Sequence, residues 1–313
     1  GDALDLSDSD TDLRTRLITD FARVHAGLTW DQAGTPAATL SHGQARLRFA
    51  PDGLALGLRA DLTWGDLQAH ALQGTLAWVP GGLWVGDLST DQLTRGPLQV
   101  QGARATGSWF ANELQANSQA ETLRYGEEWQ AQAPRLSLSG SVAELHFEGQ
   151  AASLRHLPSR SEISGLRLAE GCLAGPAWSL QFQADEALLT PDYRAFAMAG
   201  SLTSEGHGLA LTASAPAFHD LTRQGGGKAL ALAAQQDGNG WRGEWSMGEL
   251  VWPGLRLAGF DGHGEWRAGG LLGQVQATEL DYQKFHLQKV RAAAQLTEHQ
   301  VWGAGVARQL ARW

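Results

Sequence analysis

One glycine-rich segment has the spacing of a dinucleotide-binding motif. Residues Gly238–Gly243 read Gly-Asn-Gly-Trp-Arg-Gly, which matches GxGxxG, and Asp261 follows about twenty residues later, where such sites place the acidic residue that binds a ribose. The motif works only when a helix begins at the glycines, so that the first amides of the helix bind the pyrophosphate. Residues 244–252 read Glu-Trp-Ser-Met-Gly-Glu-Leu-Val-Trp and predict a strand instead. We therefore expect no nucleotide site here.

Three carboxylates near the start of the sequence have the opening spacing of a calcium-binding loop. Asp8, Asp10 and Asp12 alternate as the first three ligands of such a loop do. The loop also needs a glycine at its sixth position and a glutamate at its twelfth, where this chain has Leu13 and Thr19. We predict that these carboxylates lie at the N-terminus of a helix, whose dipole favours negative charge.

The remaining candidates for catalysis or metal binding are histidines and one cysteine. The ten histidines form no HExxH motif, Cys172 has no CxxC partner, and the chain contains no GxSxG motif, so the usual signatures of zinc sites and serine hydrolases are missing. We expect a protein that is not an enzyme and that has neither a metal ion nor a cofactor.

The most informative pattern is the alternation of apolar and polar residues. From Gly53 to Trp64, leucines at 54, 56, 58 and 62 and Trp64 itself share one side of an extended backbone. Because successive strand side chains point to opposite faces, this segment predicts a strand with one apolar face. Similar segments recur along the chain and predict an all-β protein. Their apolar members are Leu47, Phe49, Leu54, Leu56, Leu58, Leu62, Trp64, Leu76, Trp78, Leu98, Val100, Leu136, Leu138, Leu180, Phe182, Leu209, Leu211, Leu230, Leu232, Leu255 and Leu257.

Glycine and proline clusters separate the alternating segments and favour an antiparallel meander. The segments share a loose plan, a turn residue followed by alternating leucines and a small residue, but their spacings are unequal and indicate no fixed repeat. One segment differs: Leu13, Leu17, Phe21 and Val24 fall at helical steps and predict a short amphipathic helix over 10–25. We predict a helix and lead-in over 1–35, a continuous sheet over 36–300 and a C-terminal tail over 301–313.

Composition excludes several classes of function. The formal net charge is -9, the pI is about 5.5, and lysines and arginines form no cluster, so we expect no binding to nucleic acid. The hydrophobic fraction of 43% is large enough for a sizeable core and argues against disorder. There is no run of 18 apolar residues and no signal peptide, so a native anchor would have to lie outside this sequence.

The turn-and-leucine texture is similar to that of a known family. The segment 252–266, Trp-Pro-Gly-Leu-Arg-Leu-Ala-Gly-Phe-Asp-Gly-His-Gly-Glu-Trp, resembles the periplasmic region of AsmA-like proteins of Gram-negative bacteria, of the YdbH and TamB type, and the resemblance extends over most of 36–297. It implies an elongated, curved, taco-like antiparallel groove that carries phospholipid between the inner and outer membranes. It also implies a periplasmic location, an inner-membrane anchor in the full-length protein, and partners among inner- and outer-membrane envelope proteins. The apolar residues named above would then line the lipid groove.

Two other functions fit the same residues. A closed β-sandwich would bury these side chains against a second sheet, and the chain would then be a structural or assembly component of an envelope machine, such as subunit N of type II secretion. The thirteen tryptophans could alternatively stack on sugar rings in a carbohydrate-binding protein, although they are spread along the whole chain rather than clustered.

Overall fold

The computed structural model describes residues 4–8, 13–20, 23–35, 37–50, 53–79, 81–189, 192–205, 208–238, 240–267, 270–296, 301–306 and 309–312. All regular structure in these residues is β-strand, as the alternating pattern predicts. Among them there is consequently no helix long and apolar enough to cross a membrane.

The chain divides into two units, Gly1–Leu157 and Pro158–Trp313, called unit 1 and unit 2 below. The strands of unit 1 are β1 Leu4–Asp8, β2 Leu13–Asp20, β3 Arg23–Gly34, β4 Ala38–Ala50, β5 Gly53–Trp64, β6 Leu67–Val79, β7 Leu83–Arg95, β8 Leu98–Phe110, β9 Glu113–Gln119, β10 Thr122–Tyr125, β11 Trp129–Gln132, β12 Arg135–Ser141 and β13 Glu144–His156. Each strand from β1 to β8 pairs antiparallel with the next. Two short strands, β9 and β10, follow one another along the next edge and both pair with β8. In the same way, β11 and β12 both pair with β13.

Unit 2 is a regular antiparallel meander. Its strands are β14 Ser161–Ala174, β15 Ala177–Leu189, β16 Tyr193–Glu205, β17 Gly208–Asp220, β18 Gly225–Asp237, β19 Gly240–Trp252, β20 Leu255–Arg267, β21 Gly270–Tyr282, β22 Phe285–Leu296, β23 Val301–Val306 and β24 Gln309–Arg312. Strands β14 to β22 pair in chain order, and β23 and β24 both pair with β22. The last two strands therefore fall within 301–313, the range predicted to be a C-terminal tail.

The helix predicted over 10–25 is absent from the described residues of that range. Leu13–Asp20 is strand β2, and the range ends inside β3, while residues 9–12 and 21–22 lie outside the described residues. The physical reason is that Leu13 and Leu17, four residues apart, share a face in a strand as well as in a helix, since four is a multiple of two. Thr15, Ile18 and Thr19 of the same segment are β-branched and favour the strand.

A kink recurs in the strands, marked by residues with a positive φ angle. In unit 2 one such residue lies in every second strand, at Gly165, Ala197, Ala229, Gly259 and Lys289, which are 32, 32, 30 and 30 residues apart, and β14 has a second one at Glu170. Unit 1 has His42, Ala71 and Gly102 at the corresponding places in β4, β6 and β8. The repeating element is thus a pair of strands with one kink. The unequal spacing of the leucine segments concealed this repeat from sequence analysis.

Candidate functional site

The strand register of unit 1 gathers the predicted apolar residues into rows that run across the strands. Leu54 pairs with Phe49 on one side and Trp78 on the other, and the row continues through Trp84 to Trp109. Side chains of directly paired residues lie on the same face of a sheet. One end of the apolar face therefore carries a nearly continuous aromatic row.

Further rows lie parallel to this one on the same face. Leu56 pairs with Leu47 and Leu76, and Leu58 pairs with Ala45 and Gly74. Beyond the kink, a row from β4 to β10 consists of Leu40, Leu62, Ala69, Leu93, Val100 and Leu123. The apolar side of β5 is thus part of an apolar surface several strands wide.

Unit 2 has an equivalent apolar face. Its central row consists of Leu168, Phe182, Gly200, Ala213, Leu232, Trp245, Gly262, Val275 and Ala292. Large rings cover the glycines of this row, because an added Cβ at Gly262 would lie 2.5 Å from the Trp245 indole and one at Gly200 would lie 2.5 Å from Phe182. Such cross-strand pairs of an aromatic ring and a glycine fix the register of a sheet.

All the predicted apolar residues lie on the apolar face of their own unit. In unit 1 these are Leu47, Phe49, Leu54, Leu56, Leu58, Leu62, Trp64, Leu76, Trp78, Leu98, Val100, Leu136 and Leu138. In unit 2 they are Leu180, Phe182, Leu209, Leu211, Leu230, Leu232, Leu255 and Leu257. Whether they bind lipid stays a prediction.

Within the described residues, no second layer covers these rows. The buried apolar residues are mostly alanines, and none of the large side chains is fully buried. Leu88 leaves 46% of its surface in water and Trp109 leaves 52%. The closest approach to a conventional core is Trp30, which packs with Ala45 and Ala60 and donates its indole N–H to the Leu40 carbonyl oxygen at 3.1 Å. Exposed apolar surface of this extent marks a binding surface in soluble proteins.

The apolar face of unit 1 contains a hollow of about 360 Å³ beside the kink. Its apolar lining includes Leu72, Leu88, Leu93, Val100, Leu123 and Leu136. The hollow is open rather than closed, and its residues come from β6, β7, β8, β9, β10 and β12. It can receive a flexible apolar chain more readily than a compact rigid ligand.

The kink keeps the apolar face continuous. Leu72 and Ala69 are three residues apart and would face opposite sides in a regular strand, but Ala71 between them has a φ of 52°. Both residues pair with apolar residues of β5, and the register shifts between them. Asp61 holds the kink by accepting the Ala71 amide at 2.8 Å, and this hydrogen bond lowers the pKa of Asp61.

Several residues of the face were missing from the sequence prediction. Trp84, Trp109, Leu88 and Leu93 all lie in its rows. Trp84 could have been found by counting outward from the Pro80-Gly81-Gly82 turn to the partner of Trp78, because a hairpin pairs residues at equal distances from its centre. Leu93 could not, because it lies five residues from Leu88 in the same strand, and regular alternation assigns residues at an odd spacing to opposite faces.

The opposite face is polar and carries ion pairs between strands. In unit 2, Lys228 binds Glu249 at 3.0 Å, Glu249 binds Arg256 at 2.9 Å, and Arg256 reaches Asp281 at 3.4 Å. The hydrogen bond from Arg256 is the largest of the effects that lower the pKa of Glu249. His286 in the same way lowers the pKa of Asp281. These exposed pairs indicate a face in water, and each contributes little to stability.

Several tryptophans lie in rows along the apolar face, Trp78, Trp84 and Trp109 in unit 1 and Trp241, Trp245 and Trp266 in unit 2. Comparison with known proteins adds no name: no family model matches the sequence, and no curated protein is significantly similar to it.

Proposed function

We propose that this protein conducts phospholipid without catalysis, holding acyl chains on its open apolar face while the head groups stay in water. The observation that supports this is the exposure of the apolar rows, in which residues such as Leu76, Leu88 and Trp109 leave 42%, 46% and 52% of their surface in water. A closed sandwich would bury these side chains. Exposed apolar rows of this kind favour a ligand over a structural core.

The energetics fit acyl chains. Transfer of a chain of about 16 carbons out of water yields roughly 13 kcal/mol at about 0.8 kcal/mol per CH₂, provided that apolar contact runs along the whole chain. The rows of unit 1 cross neighbouring strands that lie about 4.8 Å apart, so a row of five strands extends about 19 Å, close to the length of such a chain. A flexible chain can follow a row without needing a shaped pocket.

The wider setting of the proposal comes from the resemblance to AsmA-like proteins. We infer that the chain lies in the periplasm of a Gram-negative bacterium and itself forms a curved, taco-like groove between the inner and outer membranes. Its partners would be envelope proteins of both membranes. The full-length protein would be anchored in the inner membrane.

Native mass spectrometry, followed by organic extraction of the purified protein, tests the proposal. We expect phospholipid bound in a stoichiometric amount. Leu76→Asp should abolish it, because a carboxylate on the face would have to lose its water when an acyl chain binds. The matched control is Thr75→Asp, the neighbouring residue of the same strand, on the polar face, which should retain lipid.

Two results would contradict the proposal. A protein that binds no phospholipid before or after incubation with vesicles would leave the face without the proposed ligand. Equal loss of lipid in Leu76→Asp and Thr75→Asp would show that the apolar face is not the binding surface.

A further inference from the structure

The polar face of unit 1 contains a second hollow, of about 450 Å³, over strands β4 to β7. Its floor is Gly57, where an added Cβ would meet only the Arg46 carbonyl oxygen, at 3.9 Å. Around this floor stand the side chains of Arg46 and Arg59, together with those of Gln44, Gln73, Thr75, Asp87 and Ser89. The hollow is thus an open space between two guanidinium groups, with hydrogen-bonding side chains on its other sides.

The two arginines are placed to act on one ligand. Arg59 pairs with Gln44 and Arg46 pairs with Gly57, so the two arginines are diagonal neighbours, with Cα atoms about 7–8 Å apart. Long side chains at that separation can reach a common point between them. Like charges so close repel each other, and an anion bound between them would remove the repulsion.

Neither arginine has an ion-pair partner among the described residues. Asp87, the only carboxylate that lines the hollow, forms no ion pair with either arginine in the described part of the chain. Arg95 and Arg242, by contrast, form ion pairs, Arg95 with Asp66 at 3.6 Å and Arg242 with Glu265 at 3.1 Å. Two unpaired guanidinium groups facing one hollow therefore offer donors to a ligand from outside the chain.

The neighbouring side chains define the rest of the ligand. Gln44, Arg59, Gln73 and Ser89 are consecutive partners in one row across the strands, so amide and hydroxyl groups continue from the guanidinium pair. Guanidinium groups bind phosphate oxygens in a bidentate manner. Amides and hydroxyls bind sugar-like hydroxyl groups. A hollow of this volume is in the range of small-molecule sites and exceeds what a bare phosphate needs.

We propose that this hollow binds a phosphomonoester of a small hydroxylated molecule, with the phosphate between Arg46 and Arg59 and the hydroxylated part along Gln73 and Ser89. The site lies on the face opposite the apolar rows, so the proposal does not depend on lipid binding. Unit 2 offers a contrast: the titratable residues that line the hollow on its polar face, about 940 Å³, are Glu244, Asp261 and His263, with neither lysine nor arginine. That hollow would repel a phosphate.

Isothermal titration calorimetry of the full chain with glycerol 3-phosphate, inorganic phosphate and glycerol tests this site. We expect glycerol 3-phosphate to bind more tightly than inorganic phosphate, and glycerol alone not to bind. Arg46→Gln and Arg59→Gln should each weaken binding of glycerol 3-phosphate about tenfold, the loss of one charged hydrogen-bonding group. Gly57→Val should also abolish binding, because its side chain would fill the floor of the hollow without changing the charge.

Arg124→Gln is the matched control, because it removes the same charge from an exposed position on β10 outside the hollow. Circular dichroism establishes that each variant retains its strands. Equal weakening in Arg124→Gln would mean that general electrostatic attraction is responsible and would overturn the proposal. Unchanged binding in Gly57→Val, or no binding by the wild-type chain at millimolar concentrations, would also overturn it.

Discussion

If the apolar face is open in solution, a carboxylate introduced on it should be tolerated. Leu88 is the most informative position, because it lies in the middle of a row and leaves 46% of its surface in water. Full burial of a leucine contributes about 1.5–3 kcal/mol, so the buried half of Leu88 contributes roughly 1–1.5 kcal/mol. The low strand propensity of aspartate adds up to about 1 kcal/mol. We expect Leu88→Asp to lower the free energy of unfolding by about 2 kcal/mol.

A covered face predicts a much larger effect. An unpaired carboxylate between two packed layers loses its water, at a cost of several kcal/mol beyond the loss of leucine contacts. Ala187→Asp is the comparison for a buried carboxylate, because Ala187 lies on the apolar face of unit 2 but is 0% exposed. Its effect on the free energy of unfolding measures the loss that burial causes in this protein. We expect that variant not to fold. Ser89→Asp, next to Leu88 on the polar face, should shift stability by less than about 0.5 kcal/mol.

The measurement is urea unfolding of delipidated protein, followed by tryptophan fluorescence and by circular dichroism. Removal of lipid matters, since a ligand bound only to the folded chain would add its own stabilisation. A loss of more than about 4 kcal/mol in Leu88→Asp would refute the reasoning, because it would show that this residue is covered by protein.

Three further predictions concern stability. Trp30→Ala should lower the free energy of unfolding by about 3–5 kcal/mol, as for a buried aromatic residue. Trp109 is half exposed, so Trp109→Ala should lower it by at most about half as much. Thermal unfolding of the two variants compares these losses. The amide of Arg223 donates to Asp220 at 2.9 Å, and this hydrogen bond lowers the pKa of that carboxylate below its ordinary value of 3.8. Hydrogen bonds from Thr222 and Trp252 lower the pKa further. Asp220→Asn should therefore destabilise the protein above about pH 5, and the difference should vanish as the pH falls through the lowered pKa, which urea unfolding at several pH values measures. Ala197→Gly should raise stability by up to about 1 kcal/mol, because Ala197 has a φ of 49° that glycine adopts without strain; equal or lower stability in urea would contradict this.

The sequence pattern predicted the strands but not the kinks within them. The alternation of β5 predicted correctly that Leu54, Leu58 and Leu62 share a face, because no residue from Leu54 to Trp64 has a positive φ angle. In β6 the same reasoning fails across Ala71, whose left-handed backbone has no signature in an alanine side chain. Alanine at such a position is disfavoured, so no propensity scale would have pointed to it.

The helix prediction failed for a different reason. Steps of four residues fit both a helical face and a strand face, and only the residues between the leucines distinguish them. Between Leu13 and Leu17 those residues are Arg14, Thr15 and Arg16, and the β-branched Ile18 and Thr19 follow. The same ambiguity is absent from β5, where apolar residues recur at every second position and no helical face fits.

The kinks connect the fold to the proposed function. Strand β5 has no kink and keeps Leu54, Leu58 and Leu62 on one side, whereas the neighbouring β6 has a spacing of three at its kink, between Ala69 and Leu72. Without the positive φ of Ala71, one of these two side chains would turn to the polar face and interrupt the row. The recurring kink therefore maintains the apolar rows from strand to strand. A ligand held by such rows meets equivalent surfaces at successive strand pairs, and that repetition suits a flexible apolar chain that moves across the strands rather than one that occupies a single pocket.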